Sequence, residues 1–109
     1  MKIEYIDREP EIMKNFLGGE KQLEAYMYTD DLNRILKARL VPGASIGEHK
    51  HETSSEIIYI IEGSGKIICD GVEEHVSAGD CHYCPKGSTH TFINDSDGDT
   101  WVFAVVPKQ

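Results

Sequence analysis

Three histidines and a glutamate carry the clearest chemistry in the sequence: His49, His51, Glu56 and His90. His49 and His51 are two residues apart, so on an extended strand their imidazoles project from one face toward one ion, while Lys50 points the other way. Glu56 lies an odd number of residues beyond His51, and Thr53, Ser54 and Ser55 offer the turn that resets parity before the next strand. That strand places Glu56, Ile58 and Ile60 on one face, a carboxylate at the mouth above an apolar floor. His90 is remote in sequence but shares parity with Phe92 and Asn94, and a closed sheet can bring this face opposite the first pair.

Such a set is rich in nitrogen with one hard oxygen. It suits one divalent transition metal per chain, Fe, Mn, Zn, Ni, Co or Cu, whereas Ca and Mg prefer oxygen-only shells. Four protein ligands on an ion that takes five or six leave positions for water, dioxygen or a substrate's oxygens, which opens the way to Lewis-acid or redox chemistry. Two blander uses stand beside this one. The ion can sit in a closed structural site, or the two histidines can be exposed on a polar hairpin, with Glu56 a surface charge and His90 a loop cap.

Size and pattern constrain the elements that must position these groups. With 109 residues the chain has room for one domain, residues 1–109, and 39% hydrophobic residues supply a modest core. Nineteen acidic against eleven basic side chains give a formal charge of −8, which offers no electrostatic footprint for nucleic acid. No window approaches the roughly 20 apolar residues of a membrane span, and Met1 to Pro10 is charged throughout, unlike a signal peptide. The expectation is a cytoplasmic protein with no membrane partner, and three cysteines, an odd number, read most simply as reduced thiols.

Along the chain, a loose acidic and apolar alternation over residues 5–17 suggests a short turn of helix closed by Gly18 and Gly19. Leu23 to Tyr28 is strand-like, and Leu36, Ala38 and Leu40 share one parity while Lys37 and Arg39 share the other, a half-buried strand. Pro42-Gly43 breaks that run, and Glu56 to Ile61 follows. Asp70-Gly71 is a strong hairpin signal after Lys66 to Cys69. Glu73 to Val76, Cys81 to Cys84, His90 to Asn94 and Trp101 to Val106 complete about eight or nine short strands, an antiparallel sandwich or barrel.

Two spaced patterns carry a resemblance. Gly43, five residues, His49-x-His51, four residues, Glu56, six residues and Gly63 form the first; Gly79, five residues, Pro85-x-Gly87, two residues, His90, three residues and Asn94 form the second. In both, the sequence resembles the cupin superfamily, specifically its small single-domain members, over residues 43–94. The resemblance implies an all-β double-stranded β-helix, or jelly-roll, barrel with a short N-terminal extension. It also implies that His49, His51, Glu56 and His90 bind one divalent metal inside the barrel, and that the protein forms a homodimer through sheet surfaces and exchanged edge strands. Whether the N-terminal segment is such an exchanged strand or a short helix closing one barrel end stays open.

The remaining candidates lie on Cys81-His82-Tyr83-Cys84. Its Cys-x-x-Cys spacing sits on a strand and not at a helix N-terminus, so redox activity is disfavoured. Tyr83 shares a face with Cys81, and His82 with Cys84; whichever pair faces the cavity can supply a proton-transfer group or orient a ligand. His82, Tyr83 and Glu56 are therefore the catalytic candidates. Asn94 is expected to hold neighbouring backbone by side-chain hydrogen bonds. For function, the leading expectation is a small metalloenzyme of oxygenase, isomerase, epimerase or lyase type acting on a compact oxygen-rich metabolite. The alternatives are a non-catalytic small-ligand-binding or sensing module, and a barrel whose metal is purely structural.

Overall fold

A computed structural model describes residues 1–5 and 8–109. Its ten strands are β1 (Glu11–Lys14), β2 (Gln22–Thr29), β3 (Asn33–Leu40), β4 (Ser45–Lys50), β5 (Glu56–Glu62), β6 (Ser64–Cys69), β7 (Val72–Ser77), β8 (Cys81–Cys84), β9 (Thr89–Ile93) and β10 (Thr100–Pro107). A single 3-10 turn, Phe16–Gly18, is the only helical element among the described residues.

The strands form two antiparallel sheets. One has the order β1-β2-β3-β10-β5-β8 and the other β4-β9-β6-β7, the two-sheet arrangement of a jelly roll. The ladders of the described residues hydrogen-bond each sheet separately, and the two sheets share one core. Leu40, Ile60 and Val102 reach that core from the larger sheet, and Ile67, Val76 and Phe92 from the smaller. Burying one such side chain contributes about 1.5–3 kcal/mol, and period-two alternation supplies it from every second position.

β5 shows the rule plainly: Glu56, Ile58 and Ile60 are buried while Ile57, Tyr59 and Ile61 are exposed. β3 buries Leu36, Ala38 and Leu40 as the alternation predicts. Asp70 and Gly71 both have positive φ, 49° and 80°, the requirement of a two-residue hairpin turn of type I′ between β6 and β7. At Gly63, φ is 88° and an added Cβ would lie 2.6 Å from the Asp99 carbonyl oxygen, so the turn from β5 to β6 excludes any side chain.

The N-terminal expectation needs correction. Over Glu11–Lys14 the chain forms a strand paired with β2 of the same chain, and only Phe16–Gly18 is helical. Strand pairing wins because Ile12 and Met13 find ladder partners in Glu24 and Leu23, whereas a helix this short has too few hydrogen bonds to offset its nucleation. The part of the predicted alternation at Ile6 and Asp7 lies outside the described residues.

Candidate metal centre

β4 and β9 carry the site, and a bulge aims it. Ser45 pairs with Ile93 and Ile46 with Phe92, but the register then shifts so that His49 pairs with His90. Gly47 and Glu48 together oppose Thr91, which flips parity and turns His49 inward where an unbroken ladder would have placed Glu48. Gly47 is suited to this position because a Cβ there would collide with the Leu17 backbone, against which the bulge packs. His51 follows on the same face as His49. It is held by two backbone hydrogen bonds: its N–H donates to the Ser88 carbonyl at 3.0 Å, and its carbonyl accepts from Gly87 at 2.6 Å.

The three Nε2 atoms form a triangle: His49 to His51 is 3.1 Å, His51 to His90 3.0 Å and His90 to His49 3.0 Å. Glu56 Oε1, arriving from the other sheet on β5, lies 2.9 Å from His90, 3.2 Å from His51 and 3.8 Å from His49. His51, Glu56 and His90 are buried and His49 is half-buried. Ligand atoms about 2.1 Å from one ion are about 3.0 Å apart when they meet at a right angle and about 3.4 Å apart at a tetrahedral angle. The nitrogen triangle therefore fits three adjacent corners of a five- or six-coordinate ion and not a closed tetrahedron.

The far ring nitrogens are also engaged. His49 Nδ1 donates to the Gly47 carbonyl at 2.8 Å, His51 Nδ1 is 2.9 Å from Ser54 Oγ, and His90 Nδ1 is 3.0 Å from His82 Nε2. Protons held at Nδ1 leave each Nε2 lone pair facing the common point, the tautomer a metal requires. Burial acts most strongly on the Glu56 carboxyl and raises it, but the imidazoles of His49, His51 and His90, when they carry protons on Nε2 in the metal-free protein, together outweigh burial and hold the group well below its ordinary value. Burial pulls the His49 imidazole down, while the Glu56 hydrogen bond, the Gly47 carbonyl and the Glu56 charge together lift it above 6.5. The residues thus fit a divalent ion: a carboxylate kept ionised beside three oriented imidazoles.

His49, His51 and Glu56 open onto a cavity of about 100 Å³. Met13, Phe16 and Leu17 of the N-terminal segment cover it, Met27, Leu36, Ile46 and Val106 line its walls, and Arg34 is the only cationic residue among the described residues that line it. A second, more open cleft shares Arg34, His51 and Val106 and adds Ser54 and Lys108.

Each sequence candidate has a definite place. The four ligands meet. On β8, His82 and Cys84 point inward and Cys81 and Tyr83 outward, Tyr83 with 56% exposure, so the structure does not bring Tyr83 to the cluster. His82 stands behind His90 and is absent from the lining of the cavity. Asn94, fully buried, donates to the Leu40 carbonyl at 2.8 Å and the Gly98 carbonyl at 2.9 Å and accepts from Ser96 N and Oγ, the backbone-holding role expected of it. Sequence reasoning passed over Arg34, whose signal was its shared parity with Leu36, and Gly47, whose signal was invisible without the bulge.

Comparison with known proteins agrees with this geometry. The family model described as "Cupin domain" matches residues 36–106. An oxalate-binding protein of Thermotoga maritima is 31% identical over 89% of this chain and 85% of its own length. The crystal structure of a predicted oxalate decarboxylase from Thermotoga maritima superposes with a TM-score of 0.94 at 29% identity, covering 100% of both chains. That of a cupin 2 conserved barrel domain protein from Salinispora arenicola gives 0.77 at 28% identity over 97% of this chain and 87% of that one.

Proposed function

The chain belongs to the cupin superfamily, and from that premise we propose that it binds one divalent transition metal through His49, His51, Glu56 and His90 and takes a small dicarboxylate, oxalate or a near analogue, on the open side of the ion. One observation carries this reading: four ligand atoms converge, and three of the residues that bear them, His49, His51 and Glu56, line a cavity whose other described lining residues are apolar except for Arg34. The similarity to an oxalate-binding protein supports the same ligand class.

A bound divalent ion supplies Lewis acidity and vacant positions for two carboxylate oxygens. The chain's own residues do the rest. Glu56 offsets one of the ion's two charges, so ion and carboxylate together stay net positive, and Arg34 adds a planar, permanently charged donor suited to a carboxylate. This local field opposes the formal −8 of the whole chain at the place where the ligand enters. Met13, Phe16, Leu36 and Val106 shield the ion's side of the cavity from water and strengthen its attraction, while Arg34 reaches the cavity from an exposed position on β3.

The lining favours binding over turnover. Decarboxylation of a dicarboxylate needs a proton donor to the new carbanion, and apart from the ligands themselves the described residues lining the cavity are Arg34 and apolar side chains. Calorimetry tests the reading: oxalate should bind Mn(II)-loaded protein at one per chain, and its binding should vanish after chelation or in His51→Ala. Binding that is indifferent to the metal refutes it. Proton NMR of the same mixture checks for formate, whose steady accumulation would instead establish a lyase.

Dimer formation belongs to the same proposal. Ile57, Tyr59, Ile61, Tyr83 and Phe103 are all exposed on the outer face of β5, β8 and β10, and ladder pairing sets Ile57 beside Tyr83 and Tyr59 beside Phe103. An apolar surface of this kind on a two-sheet protein fits a second copy of the chain.

A further inference from the structure

A second group of ligating side chains lies behind the first. Cys84 and His82 are the inward residues of β8, and Cys69 ends β6. Ladder pairing sets Cys69 beside His90 and Cys84 beside Glu56, so each thiol stands one strand away from a ligand of the front site. One ligand atom from each of Cys69, His82 and Cys84 lies within 4.8 Å of the others. Cys84 has 0% exposure, His82 is buried and Cys69 is partly buried, and all three cysteines are free thiols.

We propose that Cys69, His82 and Cys84 form a second metal site, selective for a soft ion such as Cu(I), Zn(II) or Cd(II), and that its occupation opposes that of the front site. Two sulfurs and one imidazole nitrogen are the donors such ions select, whereas Mn(II) and other harder ions prefer the carboxylate-bearing front site. Ligation displaces one proton from each thiol into solvent, and the two thiolates neutralise a bound dication, so no net charge is buried.

Opposition follows from one hydrogen bond. With an ion on His90 Nε2, the His90 Nδ1 proton is donated to His82 Nε2 across 3.0 Å, and His82 then carries its own proton on Nδ1. A soft ion taking either nitrogen of His82 must remove that acceptor or displace that proton. Each ion therefore weakens the other, and linkage requires the effect to be reciprocal. The soft site itself stands on its own geometry; only the opposition rests on the front-site reading.

Cd(II) titration of the reduced protein tests both parts. A Cd–thiolate charge-transfer band in the ultraviolet cannot come from the front site, which holds no sulfur, and Cys81→Ser separates the rear site from the exposed Cys81 thiol. The band should saturate at one equivalent, disappear in Cys69→Ser and in Cys84→Ser, and persist in Cys81→Ser and in His49→Ala. Cys69→Ser is the decisive variant if loss of the buried Cys84 thiol unfolds the chain. Absence of the band in the wild type, its survival in Cys69→Ser, or its loss in Cys81→Ser overturns the site. Saturating the front site with Mn(II) should raise the Cd(II) concentration at half-saturation several-fold, and His82→Ala should abolish that shift. An unchanged midpoint in wild-type protein overturns the opposition, and failure of His49→Ala to lose Mn(II) affects only the front-site reading.

Discussion

Glu56 Oε1 lies 2.9 Å from His90 Nε2 and so joins β5 of the six-stranded sheet to β9 of the four-stranded one. An ion at this junction clamps both sheets at once. Any ligand that binds only the folded state adds stability by mass action, about 2.7 kcal/mol when its free concentration is 100 times its Kd. Chelation should therefore lower the thermal midpoint by several degrees, as differential scanning calorimetry reads it, and Glu56→Gln should remove most of the difference between metal-loaded and chelated protein.

Metal uptake should weaken as the pH falls, beginning above 6.5. The His49 imidazole is lifted above that value in the metal-free protein, and a protonated ring cannot ligate, so protons compete early. The signs for metal-free stability run in opposite directions. His49, with its raised value, contributes stability that is present below 6.5 and lost as the pH rises through the folded value. Glu56, with its lowered value, contributes stability that is present above 4.5 and lost as the pH falls through the folded value. Calorimetric metal titrations and urea melts across this range check both slopes.

Arg34→Ala should weaken oxalate binding about 10- to 100-fold, the worth of a charged hydrogen bond of about 1.5–3 kcal/mol, while leaving Mn(II) affinity unchanged. Arg34→Lys should recover only part of the loss because an ammonium cannot form the planar fork. Calorimetry on the metal-loaded variants separates the two effects.

Ile57→Asp should convert a dimer to a monomer at micromolar concentration, since it places a charge in the centre of the exposed apolar face of β5, β8 and β10. Light scattering coupled to size exclusion reads the mass directly. A second substitution on the opposite parity of the larger sheet would damage the core instead, so the outward position isolates the interface.

Asn94→Ala should cost about 2–4 kcal/mol in urea melts, because it strips donors from the buried Leu40 carbonyl and the partly buried Gly98 carbonyl and an acceptor from Ser96. Asn94→Asp should rescue little, since a carboxylate cannot donate to Leu40 or Gly98.

Much of this was legible in the chain because period-two alternation is a local signal. Leu36, Ala38 and Leu40 announced one face of β3, Asp70-Gly71 announced a hairpin, and Glu56, Ile58 and Ile60 were assigned inward from parity alone. What failed were features set by distant backbone. The bulge at Gly47 depends on the Leu17 segment lying against it, and the strand at Glu11–Lys14 depends on an edge offered by β2. The inward face of β8 could not be decided from Cys81 to Cys84, where both parities carry a cysteine. Ladder pairing with β5 decides it: Ile58 faces inward and sits beside His82, so His82 and Cys84 do too.

Co(II) substitution gives the most direct measure of the central claim that the ion keeps open positions for a dicarboxylate. The nitrogen triangle predicts weak visible absorption characteristic of five- or six-coordinate cobalt, shifting on addition of one equivalent of oxalate. An intense tetrahedral spectrum that oxalate leaves untouched would contradict it.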